Sequence, residues 1–426
     1  MLGGSMKRSG GRIRPAAVVA LVLALSSVGI VGAAGSSGAV PSVRGFDGKT
    51  ITVAGLGIKA QLPTAETGAE ARIKRFNDTN ELPGIKIDYK ELADDKQDPA
   101  TALSEARRLV TQVGVFAIVG DVSANNPGQY FAQQHVPYFG GGFDNTYCSN
   151  KPSTSLWGFS DGGCITAANP SRVTDIYHAM YTNVSKLTGK KHPTFIVVGN
   201  DNESGKNGGR VFAIAAQGAG FKVTDVQTNM PQPPVADYTP FVQAALKGDH
   251  GNPPDAMFCE AATQCLNLWQ LLKASGYKGA FTHGLFTDIL VKPFDGSYVN
   301  NPVVNPAEPT AGNAQIRKDL DALKPGLSSN VDLGTEFGYA STDFFIQVLE
   351  KVKKSKMAIT PENVQKVAST FTFELKGVKG PIQYPKATVM VYPACFSNFK
   401  SDGTKWETVV PFSCSTKTYS PNLKLG

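Results

Sequence analysis

Ser123 closes the stretch Asp121-Val122-Ser123, just after the apolar run Phe116-Ala117-Ile118-Val119 and Gly120. A serine at a strand end and a helix start offers a hydroxyl and free backbone N–H groups, which together can hold an anionic or carbonyl oxygen. As a nucleophile it would need a positioned base. The nearest histidine in its segment is His135, at the far end of the expected helix, so a cap or a ligand contact is the better reading. Glu203 and Glu260 could form a carboxylate pair for acid–base work, against the plainer reading of charged cleft residues. Asp94-Asp95 could hold a metal, against a solvated strand end. His283, at another strand end, either faces a cleft or packs in the core. The run Gly199–Lys206 (GNDNESGK) approaches a phosphate loop, but it has one residue too many between Gly199 and Gly205-Lys206, and Asn207 replaces the Mg²⁺-holding hydroxyl residue. H-E-x-x-H does not occur. These residues carry no enzyme motif, no cofactor signature and no metal signature.

The elements that would position these groups alternate. Asp98 can cap a helix with Pro99 in its first turn, and Leu103, Ala106, Leu109, Val110 and Val113 recur at helical spacing. Phe116–Val119 reads as a buried parallel strand. A second helix is expected from near Ala124, then the strand Val136–Phe139, closed by Gly140-Gly141-Gly142. Before this unit come a strand at Ile51–Ala54, a helix at 66–79 and a strand at Ile85–Tyr89. After it, residues 144–172 read as a loop. A second series follows: helix 173–187, strand 194–198, helix 209–218, strand 221–226, helix 241–246, strand 256–259, helix 265–275 and strand 280–282. Residues 290–313 are rich in Pro and Asn. Helices at 314–323, 335–352 and 361–369 come next, then strands at 389–392 and 406–410. Two successive βα series imply two Rossmann-like lobes rather than one large sheet, and open α/β sheets bind ligands at the carboxyl ends of their strands.

Composition sets the class. The chain has 426 residues, enough for two cores, with 41% apolar and 18% charged residues and a net charge of +7. Lys351, Lys353, Lys354 and Lys356 form one basic cluster without interleaved aromatics, which reads as a solvated helix end and not as a nucleic-acid surface. Lys7, Arg8, Arg12 and Arg14 precede an apolar run from Ala16 to about Val31 and then small residues, the order of a secretory signal peptide. Cleavage near Ala33, Ala34 or Ala39 would export the chain to the periplasm or cell surface; an uncleaved anchor is the alternative. The six cysteines lie as local pairs, Cys148/Cys164, Cys259/Cys265 and Cys395/Cys414. In an exported chain they are expected as three disulfides, with zinc as the alternative.

The order of these segments resembles the type I periplasmic binding proteins, in the branch that includes branched-chain amino acid and amide binding proteins of ABC transporters. The resemblance spans roughly residues 49–412. It rests on Gly68-Ala69-Glu70 with Phe76-Asn77, Asp94-Asp95 through Asp98-Pro99, Ala106–Val110, Val119–Ser123, Val136-Pro137 before Gly140–Gly142, Asn200-Asp201 with Gly205, Pro254–Phe258, and Gly377 with Gly380-Pro381-Ile382. It implies two Rossmann-like α/β lobes joined by hinge crossovers. The expected division is a signal peptide at 1–34, a linker at 35–48, lobe 1 at 49–168 and 291–384, and lobe 2 at 169–290 with a return at 385–426.

The resemblance also implies a monomer that captures a small polar solute, such as an amino acid or an amide, for a membrane permease. A sensor reporting to a membrane receptor and an exported hydrolase are the alternatives. Ligand contacts would come from Gln61, Ser123, Ala124, Gly141, Gly142 and Phe143 in lobe 1. From lobe 2 they would come from Asn202, Glu203, Glu260, Ala261 and the segment His283–Phe286. Two positions depart from the amino-acid binders. Leu285 stands where they carry an acid, and Ala261 stands near their aromatic residue. Glu260 or Asp288 could supply the missing charge.

Overall fold

A computed structural model describes residues 43–261 and 263–426. The expected signal peptide and residues 35–42 of the expected linker lie outside the described residues. Residues 43–48 are held against the fold: Arg44 donates to the carbonyls of Val115, Gln134 and His135.

The first sheet is built from β1 (Thr50–Gly57), α1 (Thr64–Thr79), β2 (Lys86–Asp94), α2 (Pro99–Arg108), β3 (Ala117–Asp121), α3 (Gly128–Gln133), β4 (Tyr138–Gly140) and β5 (Gly158–Ser160). Its five strands run parallel in the order β2-β1-β3-β4-β5. Ala117–Asp121 is buried throughout, as a parallel strand covered on both faces must be. The Asp98 side chain caps α2 by accepting from Thr101 N–H, with Pro99 in the first turn. The helix expected from Ala124 starts four residues later. Pro127 disfavours helical geometry at Asn126, which leaves 124–127 as a loop.

The chain then crosses to a second sheet. In order come β6 (Val173–Thr174), α4 (His178–Thr188), β7 (Thr194–Asn200), α5 (Glu203–Ala219), β8 (Lys222–Met230), α6 (Thr239–Leu246), β9 (Ala256–Cys259), α7 (Gln264–Ala274), β10 (Ala280–His283) and β11 (Tyr298–Asn301). The helix expected from Val173 is split: residues 173–174 pair with the C-terminal tail, and the helix begins at His178. Strand β11 was not expected, because its four residues sit in the Pro- and Asn-rich stretch. It keeps the chain in the second sheet as far as Asn301.

The chain returns to the first lobe as α8 (Ala311–Leu323), α9 (Leu333–Lys354), α10 (Pro361–Ala368) and the hairpin of β12 (Thr372–Leu375) and β13 (Lys379–Gln383). It crosses a third time to β14 (Ala394–Ser401), β15 (Trp406–Ser415) and β16 (Thr418–Tyr419). The strand expected at 389–392 is a turn, and the strand begins at Ala394, past Pro393. The second sheet has seven strands in the order β15-β14-β11-β10-β9-β7-β8, with β14 and β15 antiparallel.

Close helix contact fixes the first lobe. A Cβ on Gly68 of α1 would lie 2.1 Å from Thr335 O, and one on Gly338 of α9 would lie 1.9 Å from Ala65 O. Only glycine permits these backbones to touch. Ion pairs of α1 add to this: Arg72 reaches Asp343 of α9 at 2.6 Å and Glu81, just past α1, at 2.7 Å, and Arg75 reaches Asp319 of α8 at 3.0 Å. Where the chain leaves the first sheet, Lys379 lies 2.8 Å from Asp161 and 2.9 Å from Glu336, all three between 0% and 2% exposed. The three expected cysteine pairs stand at bonding distance: Cys148–Cys164, Cys259–Cys265 and Cys395–Cys414. No helix among the described residues is long and apolar enough to cross a membrane.

Candidate functional site

A cavity of about 430 Å³ lies between the two sheets at the carboxyl ends of their strands. The first lobe contributes the loop after β1 (Ile58, Gln61, Leu62), Gln97, Ala124-Asn125, Gly141 and Phe143, and the N-terminal turns of α9 (Leu333, Phe337). The second lobe contributes Tyr177, Asn200, Asn202, Ser204, Phe212, Phe258, Glu260, Leu285 and Asn300-Asn301. The lobes touch across its rim, where the Ser204 hydroxyl donates to Ala124 O at 3.3 Å.

Aliphatic and aromatic side chains form most of the wall. Phe143 and Phe337 meet edge to face at 4.8 Å in the first lobe. Tyr177, Phe212 and Phe258 form a mutual cluster in the second, with ring centres 5.1–6.2 Å apart. Among the described lining residues the polar groups are amides and hydroxyls, with Glu260 the one carboxyl. Gln61 donates to Gln97 at 2.9 Å. Asn300 and Asn301 each commit the amide nitrogen to a backbone carbonyl, of Ile176 at 3.0 Å and of Gly284 at 2.7 Å. A carbonyl cannot donate, so these bonds fix the amide orientation and leave both Oδ1 atoms as acceptors. Neither Oδ1 has a partner among the described residues. Burial pushes the Glu260 carboxyl well above the usual carboxylate range.

Gln61, Ala124, Gly141, Phe143, Asn202, Glu260, Gly284 and Leu285 thus come together on this cavity. The other expected residues lie elsewhere. Ser123 is buried behind the wall; its hydroxyl donates to Asp95 at 2.5 Å and accepts from Asn125 N–H at 3.1 Å. Asp95 is itself fully buried, not a solvated strand end. It accepts from Ser123 and from Gln97 N–H, and burial raises its carboxyl. Asp121 beside them accepts from Tyr147 and from Ser123 N–H, and burial pushes its carboxyl up to about 8. Gly142 sits against Ser160 with a positive φ of 79°. Ala261 is fully buried. Glu203 opens α5 on the exposed side, while Asn202 caps that helix by accepting from Gly205 N–H. His283 is a core residue. It stacks on Phe294 at 3.9 Å and bonds Ser297, and burial pushes its imidazole down to about 3. Phe286 is buried against Phe399. Asp288 lies off the wall; its backbone N–H binds Asn330.

Sequence reasoning did not single out Tyr177, Phe212, Phe258, Phe337, Asn300 or Asn301. The Asn pair carried a usable signal. Tyr298-Val299 between Gly296 and Pro302 can be read as a short strand, and strand ends are where such sheets bind ligands.

Two α/β lobes, linked by three crossings and closed over an apolar cavity, define a protein built to enclose a solute. The sequence agrees: a periplasmic binding protein family model matches residues 51–403, and the chain belongs to that family. No curated protein matches the sequence significantly. Among solved structures, the chain resembles an ABC transporter substrate-binding protein from Aeropyrum pernix, with a TM-score of 0.69, 16% identity, and coverage of 87% of this chain and 97% of that one. A fatty acid ABC transporter substrate-binding protein from Thermomonospora curvata gives a TM-score of 0.69 and 16% identity, over 90% and 98% of the two chains. A branched-chain amino acid ABC transporter protein from Thermus thermophilus with bound valine gives 0.65 and 14%, over 86% and 96%.

Proposed function

We propose that this chain is an extracytoplasmic solute-binding protein that captures an organic solute with a substantial apolar part and presents it to the membrane permease of an ABC importer. It acts as a monomer, and its chemistry is capture. The solute enters between open lobes and is removed from water on closure; the closed form is what the permease recognises. Closure is a population shift, driven by contacts that both lobes make only when closed.

The observation that carries this reading is the cavity itself, about 430 Å³ and walled by aromatic and aliphatic side chains from both lobes. That size and lining suit a small organic molecule. Relatives of this fold are described as binding valine, fatty acids and benzoate, so the lobes accommodate varied apolar bodies. The ligand contacts proposed here are Gln61, Ala124, Phe143, Asn202, Glu260, Asn300, Asn301 and Phe337.

A thermal-shift screen over amino acids, amides, aliphatic and aromatic acids, amines and alcohols tests the reading, because a ligand that binds only the folded state raises the apparent melting temperature. Hits should bind by calorimetry with a stoichiometry of one, and Phe143→Ala should weaken them. Small-angle scattering should show compaction on saturation. A panel without a single hit, or hits indifferent to Phe143→Ala, would sink the proposal.

A further inference from the structure

The second-lobe wall of the cavity combines three features that the general reading does not use. The first is the Glu260 carboxyl. It follows β9 and is pinned by its own N–H, which donates to Val198 O at 3.0 Å. Its oxygens lie in a slot cut by two glycines: a Cβ on Gly199 would stand 2.4 Å from Oε1, and one on Gly208 would stand 2.6 Å from Oε2. Oε1 is buried and has no hydrogen-bond partner among the described residues. A buried acceptor left unmet costs free energy, and a slot that only glycines leave open is a built feature.

The second feature is the aromatic cluster of Tyr177, Phe212 and Phe258, which lines the same cavity as Glu260. Aromatic faces attract cations through the ring quadrupole. The third is an excess of unpartnered amide acceptors over amide donors. Asn300 Oδ1 and Asn301 Oδ1 are fixed as acceptors; these and Asn200 Oδ1 lack partners among the described residues, against one amide donor, Gln232 Nε2, and no Lys, Arg or His is among the described lining residues. A ligand carboxylate would face these acceptors with a single amide donor, Gln232 Nε2, and no cation among the described lining residues. A ligand donor would meet what it needs.

Resting on the capture reading above, we infer that the cavity takes an organic cation: an ammonium head held by Glu260 and the Tyr177, Phe212 and Phe258 rings, with an apolar body lying against Phe143 and Phe337 of the first lobe. Unlike an α-amino acid, this ligand carries no carboxylate. On binding, Glu260 supplies the countercharge and the aromatic rings replace part of the lost hydration.

The test is a series with one body and three heads: hexylammonium, 1-hexanol and hexanoate, each titrated calorimetrically at pH 8 into the wild-type full chain. Hexylammonium should bind at least tenfold more tightly than hexanol, and hexanoate should bind most weakly. Glu260→Gln keeps the shape and removes the charge. It should cost hexylammonium at least tenfold in affinity and leave hexanol within threefold, with Phe258→Leu weakening the cation several-fold. The wild-type series decides the matter even if a variant fails to fold. Hexanoate binding as tightly as hexylammonium, no binding by any of the three, or a Glu260→Gln protein that keeps the full cation preference each overturns the inference. The two readings fail separately. A solute outside this series whose affinity drops in Phe143→Ala upholds capture while refuting the cation. A protein that binds nothing in any panel refutes both.

Discussion

Replacing Lys379 by Met should unbalance the junction of the two lobes in a pH-dependent way. Lys379 lies on β13, Asp161 follows β5 where the chain leaves the first sheet, and Glu336 sits in the first turn of α9. The ammonium is 2.8 Å from one carboxylate and 2.9 Å from the other, with all three side chains withdrawn from water. It also stands 4.5 Å from the centre of the Phe337 ring, which walls the cavity. Burial holds both carboxyls above their usual range, even with Lys379 drawing them down. Methionine fills a similar volume but leaves two acids without a cation. Removing one partner of a buried ion pair costs about 3–5 kcal/mol. The stranded acids escape that cost by taking up protons. In the folded variant their values lie further above the unfolded ones, about 4, so the variant loses stability as pH rises above that range. The slope approaches about 1.4 kcal/mol per pH unit for each acid that stays protonated. Urea denaturation followed by fluorescence of Trp157, Trp269 and Trp406 at pH 5, 6.5 and 8 measures this. The deficit against wild type should be largest at pH 8 and smallest at pH 5, and adding Asp161→Asn should recover part of it. A deficit below about 1 kcal/mol at pH 8, or one that does not change with pH, would refute the reasoning.

Ser123→Ala should act on stability more than on affinity. It leaves Asp95 buried without its hydroxyl donor, at about 1–3 kcal/mol, and calorimetry with any confirmed ligand should give an affinity within threefold of wild type. Gly68→Ala should lower the melting temperature sharply, since its Cβ would fall 2.1 Å from Thr335 O, and overpacking of this kind costs about 1–3 kcal/mol or more; an unchanged melting curve would show that α1 and α9 can separate freely. Ser204→Ala removes the bond to Ala124 O across the rim. It should weaken ligand binding by roughly fivefold, about 1 kcal/mol, mainly through faster dissociation in stopped-flow experiments. Alkylammonium affinity should rise between pH 5 and 8 as Glu260, held high by burial, is more readily ionised; the titratable neighbour facing it is Tyr177, which burial keeps neutral. A flat profile would show that Glu260 does not supply the countercharge.

The alternation of helix and strand, the two-lobe architecture and the family were all readable along the chain, because each depends on local periodicity. Buried parallel strands such as Phe116–Val119 are continuous apolar runs, and α2 announces itself through Asp98 and Pro99. The local cysteine pairs followed from short loops in a chain expected to be exported. Failures came where the deciding partner is distant in sequence. Val173-Thr174 becomes a strand because the C-terminal tail pairs with it. Tyr298–Asn301 becomes one because it lies between β10 and β14. Strand ends pointed to the cleft, and Gln61, Ala124, Gly141, Phe143, Asn202 and Glu260 do stand on its wall. Chain position could not tell which side chain at a strand end faces the cavity and which turns back into the lobe. Ser123 and Glu260 both follow strands. Ser123 turns inward because buried Asp95, 28 residues away, takes its hydroxyl. Glu260 reaches the cavity because Gly199 and Gly208 leave room for its carboxyl. A sequence records residue types and local spacing. The direction of a side chain is set by whichever distant groups share its space, and that is decided only when the elements pack.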